Sequence, residues 1–161
     1  MVSGTLLSVD PGLRASGVAL WYDGVLVRAG AVRGPGTGRG PAVWSALAGG
    51  VEEWLGVAPP GVLVVETMKV YLAGKGDPAD LLELAGVAGA ITGRLSAWTA
   101  EGVRAADWNG QVPSHVRRER TRAWVEAQGW LDRVDLATTA RFQQDVWAGV
   151  GIGRWRVTGR R

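Results

Sequence analysis

The chain has 161 residues, a formal net charge of +3, 47% hydrophobic and 20% charged residues, which suits one domain over 1–161 with its own core rather than a disordered chain. With no cysteine and a single histidine it excludes disulfides, thiolate metal sites, thiol nucleophiles and histidine clusters, so any metal must be held mainly by carboxylates, the preference of Mg²⁺ with Mn²⁺ able to substitute. There is no apolar run of about 18 residues and no signal-peptide plan at the start, so the expectation is no membrane partner and a cytoplasmic location.

In chain order, "TLLSVD" (5–10) reads as an apolar strand and 16–22 as a second, with Asp23-Gly24 a hairpin signal leading into a third strand over 25–32. The segment "GPGTGRG" (34–40) is too rich in glycine for regular structure and lacks Walker spacing, so it reads as a connector before a helix from Pro41 to Leu55. The run "VLVVE" (62–66) has the near-continuous apolarity of a central buried strand. A helix follows over 76–98, opened by Asp77 and Pro78, with Gly86 and Gly89 admitting close packing. A fifth strand is expected over 102–107 and further helices over 114–129 and 138–155. This order predicts an α/β, RNase H-like fold: a five-stranded mixed sheet, three antiparallel strands then parallel ones, flanked by helices.

Two of these apolar strands finish on acids, Asp10 and Glu66. Asp10 before Pro11-Gly12 is ordinary turn chemistry, and a polar strand end is common. In the expected sheet, however, strands one and four are parallel neighbours and their carboxyl ends bring the two acids together. Adjacent carboxylates repel and lose hydration unless a cation lies between them, which reads as a divalent-metal site. Asp145 is the sole carboxylate after Asp135, and its apolar neighbours Val146, Trp147, Val150 and Ile152 leave its charge in want of a partner. The triad is therefore Asp10, Glu66 and Asp145.

Charge is unevenly placed. Residues 1–101 carry 7 basic against 9 acidic groups, a net of −2, and residues 102–161 carry 11 against 6, a net of +5. Sixteen of the eighteen basic residues are Arg, which reflects either forked phosphate recognition or a base-composition bias of the gene. The basic third suggests a polyanion partner, although solvated helix faces produce the same asymmetry.

Five stretches in order, "SVDPGLRASGVAL", "VVETMKVY", "KGDPADLLELAGVAGAI", "DWNGQVPSHVRRERTRAW" and "DVWAGVGIGRW", resemble RuvC, the Holliday junction resolvase family of the RNase H-like superfamily, and above all its bacteriophage members. The resemblance implies a Mg²⁺-dependent homodimeric endonuclease that nicks symmetric strands of a four-way DNA junction, in a bacterial or phage-infected cell. It carries Asp10 and Glu66 over as metal ligands. Asn109 and Ser114 stand where the family places lysines, which passes phosphate contact to Arg117, Arg118, Arg120 and Arg122. Met68, Lys69 and Tyr71 are candidates for the branch point, with Tyr71 equally a core residue, and Arg14 and Lys75 complete the DNA-binding set. The last helix of the family commonly holds two acids, or a His and an acid, three residues apart. Aligning "GIG" puts Asp145 first and Ala148 at the expected second acid position, and Ala148 is then either an inactivating substitution or the mark of a relative using fewer ligands. Sliding the register instead puts Asp145 second and Phe142 first. Two other readings stay open: a branched-DNA-binding protein with impaired catalysis, and another RNase H-like nuclease. For the homodimer, the stripe Leu81, Leu84, Val87 and Ile91 is either the interface or the cover of its own sheet.

Overall fold

The computed structural model describes residues 3–68 and 77–159, so three of the expected DNA-binding residues, Lys69, Tyr71 and Lys75, lie outside the described residues. Strands β1 (Thr5–Asp10), β2 (Ala15–Tyr22) and β3 (Val25–Arg33) form an antiparallel meander. Its second turn uses Asp23 and Gly24, both at positive φ (48° and 79°), the backbone that a two-residue hairpin with native twist demands. Strand β4 (Val62–Thr67) then lies parallel to β1, with Val9 opposite Val65, and β5 (Thr99–Arg104) lies parallel to β4. The sheet order is β3-β2-β1-β4-β5, the mixed sheet expected from the order of elements.

Helices cover both faces. On one, α1 (Pro41–Leu55) and α2 (Pro78–Arg94) pack over Leu7, Val9, Leu63 and Val65. On the other, α4 (Ser114–Ala127) and α5 (Ala140–Thr158) pack over Leu6, Val64 and Val103. Odd-numbered residues of β1 and β4 thus face α1 and α2, and even-numbered ones face α5. Asp10 and Glu66 have the parity of Leu6 and Val64, so both acids emerge on the α5 face.

The largest boundary differences from expectation lie at the end of α2, which stops at Arg94 rather than at residue 98, and at the fifth strand. The fifth strand runs over 99–104 rather than 102–107, and Ala105–Trp108 is a helical turn, α3. Asp107 accepts from the Arg104 backbone N–H at 3.1 Å and so closes that turn, an option that extended backbone does not offer. In α2, Val87 and Ile91 are fully buried against the sheet, while Leu82 is 73% exposed. The stripe expected as a dimer interface therefore covers its own core at these two positions, because α2 must bury an apolar face against β4 and α1 before offering one to a second chain.

Two of the three α2 glycines, Gly86 and Gly89, also divide. A β-carbon at Gly86 would run into the Trp44 indole, whose Nε1–H donates to Glu83 Oε2 at 2.7 Å, whereas nothing lies within 4 Å of one at Gly89. Urea unfolding is expected to show Gly86→Ala losing about 1–3 kcal/mol by overpacking and Gly89→Ala gaining about 0.5–1 kcal/mol from helix propensity. Equal effects at the two positions would contradict the packing described.

Candidate metal centre and its basic surround

Asp10 closes β1 opposite Gly17 of β2, and Glu66 follows the Val9–Val65 pair by one residue on β4. Asp145 reaches them from α5, because a β-carbon at Gly17 would collide with the Asp145 carbonyl oxygen and its absence lets the helix backbone rest on the strand. One turn on, a β-carbon at Gly149 would lie 2.8 Å from the Gly17 carbonyl carbon. Ser8 anchors the same crossing: its hydroxyl donates to the Gly149 carbonyl at 2.8 Å and accepts from Trp21 Nε1–H at 3.1 Å.

Asp10 feels both of the other acids. Burial pushes the Asp10 carboxyl well above its ordinary range, Glu66 and Asp145 push it further, and Arg117 opposes them. Burial also raises Glu66, against the hydrogen bond from Trp108 and the charge of Arg117. Asp145 is pushed up to about 6 by burial, with Arg141 opposing. Among the described residues no three acid or histidine side chains are drawn onto a common point that would cage an ion. The donor set nevertheless has the chemistry that suits a divalent hard cation: three carboxylates raised by burial, with Asp10 repelled by the other two.

Trp108 is the residue that the sequence left without a role. Its Nε1–H donates to Glu66 Oε2 at 2.6 Å, its ring carries the Arg117 guanidinium 4.6 Å from the centroid, and it fills the space beside Gly151. Trp108 thus fixes the orientation of one acid and the place of one base. Its signal was the Trp-x-Gly-x-x-Pro stretch, which says nothing of the partner 42 residues away.

Asp145 opens onto a hollow of about 570 Å³ shared with Phe142 and rimmed by Arg14, Arg39 and Arg141. Arg14 was expected near DNA; Arg39, in the glycine-rich connector, and Arg141, one turn before Asp145, were not singled out. Ala148 is 6% exposed and lines a separate pocket of about 160 Å³ with His115, Arg117 and Arg118. The α4 arginines do not share one face, since α4 turns about 100° per residue. Arg117 leans on Trp108, Arg118 lines the Ala148 pocket, Arg120 lines a hollow with Arg154, and Arg122 is exposed. Met68, half-buried, follows β4 directly.

Because three crowded carboxylates destabilise the protein until a cation joins them, Asp10→Asn is expected to raise the melting temperature of metal-free protein at neutral pH by about 2–4 °C or more, the shift of ~1 kcal/mol in a chain of this size. Added Mg²⁺ should stabilise the parent protein and not the variant. A variant that melts lower without metal would contradict the crowding.

No family model and no curated protein matches the sequence. Solved structures do match. Thermus thermophilus RuvC in complex with a Holliday junction substrate has a TM-score of 0.61 at 12% identity, over 94% of this chain and 90% of that one. Thermus thermophilus RuvC alone gives 0.60 at 13%, over 96% of each. The yeast mitochondrial Holliday junction resolvase Ydc2 gives 0.54 at 10%, over 98% of this chain and 81% of that one. These similarities do not bear on a bacteriophage origin. Together with the sheet order and the helices on its two faces, they establish that this chain has the RuvC-like, RNase H-type fold.

Proposed function

We propose that this protein is a divalent-metal-dependent endonuclease that resolves four-way DNA junctions by paired symmetric nicks. The observation that carries the reading is the meeting of Asp10, Glu66 and Asp145 at the carboxyl ends of the two central parallel strands, beside arginine-lined hollows. Its support is the fold shared with two resolvases, one of them bound to a Holliday junction. A homodimer belongs to the proposal because two symmetric nicks need two sites related by a two-fold axis. Among the described residues no helix is long and apolar enough to cross a membrane.

Asp10, Glu66 and Asp145 are the residues that would hold Mg²⁺ or Mn²⁺. When bound, such ions supply a water of lowered pKa and steady the leaving oxygen of an in-line phosphodiester displacement. The chain itself does the positioning. Trp108 holds the Glu66 carboxylate in one orientation, and Arg14 and Arg141 offer the phosphate backbone basic groups beside Asp145, while Arg39 on the same rim is paired with Asp80 at 2.8 Å. No side-chain nucleophile is required.

A catalytically impaired junction-binding protein is the second reading, favoured by the failure of the neighbouring acids, among the described residues, to converge on one point and by Ala148 at an expected acid position. A large gain in cleavage by Ala148→Asp marks a copy impaired at that position, whereas no gain means that Asp145 suffices alone or that the register is shifted, with Phe142 in the place of the other acid. The placement of Phe142, not Ala148, beside the Asp145 hollow favours the second outcome.

With Mg²⁺ or Mn²⁺ present, the protein is expected to nick a synthetic four-way junction at two symmetric positions and to spare a linear duplex of the same sequence. Asp10→Asn and Glu66→Gln should each lower the rate by about 100-fold or more while leaving junction binding intact. Equal cleavage of junction and duplex would point to a broader nuclease, and near-normal turnover in either variant would refute the metal site.

A further inference from the structure

Outside the acidic site, a hollow of about 190 Å³ opens between α3, α4 and the later part of α5, lined by Trp108, Val112, Arg117, Arg120, Arg154 and Trp155 among others. Three guanidiniums converge on it, and no carboxylate is among its lining residues. Two rest on indoles: Arg117 lies 4.6 Å from the Trp108 ring centroid, its charge also felt by Asp10 and Glu66, and Arg154 lies 5.3 Å from that of Trp124. Arg154 also donates to the Arg120 carbonyl at 3.2 Å. Burial and the neighbouring Arg120 charge push Arg154 below its ordinary pKa, so the cluster carries positive charge against its own electrostatics. An anion between the three groups would remove that cost. The other walls combine Trp108, Trp155 and Val112 with the polar Asn109 and Thr121, a mixture of aromatic surface and hydrogen-bonding groups that a bare phosphate does not use but a heterocyclic base does.

We propose that this hollow binds one unpaired nucleotide of the DNA substrate, its phosphate among Arg117, Arg120 and Arg154 and its base against Trp155 and Val112. Trp108 is the wall shared with the acidic site, since its opposite edge holds Glu66. A strand seated in the hollow therefore runs beside the carboxylates. A four-way junction can pair every base, so seating one requires a pair at the branch point to open, which costs less there than inside a continuous duplex. The inference rests on the nuclease reading for the identity of the ligand as DNA, and on the hollow alone for its chemistry.

The test uses the full chain in EDTA, which removes metal and cleavage from the readout. Fluorescence anisotropy compares a short labelled oligothymidylate with an abasic chain carrying the same number of phosphates. The oligothymidylate is expected to bind roughly tenfold or more tightly, the scale of one stacked base. Arg154→Gln should weaken both ligands, and Trp155→Ala should abolish the preference for the base while leaving phosphate binding. If Trp155→Ala fails to fold by circular dichroism, Arg120→Gln at an exposed position of α4 provides the second variant and should also weaken both ligands. Equal affinity for the two chains would overturn the base pocket, and unchanged affinities in Arg154→Gln and Arg120→Gln would overturn the phosphate cluster. Failure of junction cleavage with this preference intact would refute the nuclease reading and leave the nucleotide site standing.

Discussion

Everything that distinguishes this fold's acidic end depends on how closely α5 lies on β2. Gly17 and Gly149 meet with no side chain between them, and Gly153 gives way in the same manner to the Trp21 indole and the Ser8 hydroxyl. Because Gly17 stands opposite Asp10 in the antiparallel ladder, the same contact that seats the helix also brings Asp145 to Asp10. A methyl group at position 17 would lift α5 and separate the acids. The crossing is held by a buried hydroxyl, Ser8, whose bonds to Gly149 and Trp21 satisfy polar atoms that water cannot reach.

The acids and arginines around this crossing are a pair of opposite imbalances. On one side, carboxylates are buried together and raised in pKa; on the other, guanidiniums gather without a carboxylate among the lining residues. Each arrangement costs stability in the isolated chain, and each is relieved by a ligand of opposite sign, a cation for the first and a phosphate for the second. Trp108 joins them, with one edge on Glu66 and one face under Arg117.

Much of this was legible in the sequence. Hairpin chemistry at Asp23-Gly24 and the apolar runs of β1 and β4 sufficed for the sheet, and the acids ending those runs, with the lone late acid Asp145, sufficed to single out three candidate residues. The extent of β5 was not legible, because residues 102–107 have no periodicity that separates a strand from a short helix, and the deciding bond from Arg104 to Asp107 is a matter of cap geometry. Nor was the role of α2's apolar stripe, since burial of Val87 and Ile91 against the chain's own sheet and burial against a second chain leave the same pattern. Trp108, Arg39 and Arg154 escaped notice for a common reason. Their partners are distant in sequence, and local spacing carries no information about which strand end a side chain will face.

The account stands or falls on whether the three carboxylates bind a divalent cation together. Titration of the DNA-free protein with Mn²⁺, followed by the loss of the free-ion electron paramagnetic resonance signal, measures this directly. Binding by the parent chain that weakens by about tenfold or more in Asp145→Asn and in Asp10→Asn is the predicted result. An affinity indifferent to both substitutions, or no binding by the parent chain, would contradict it.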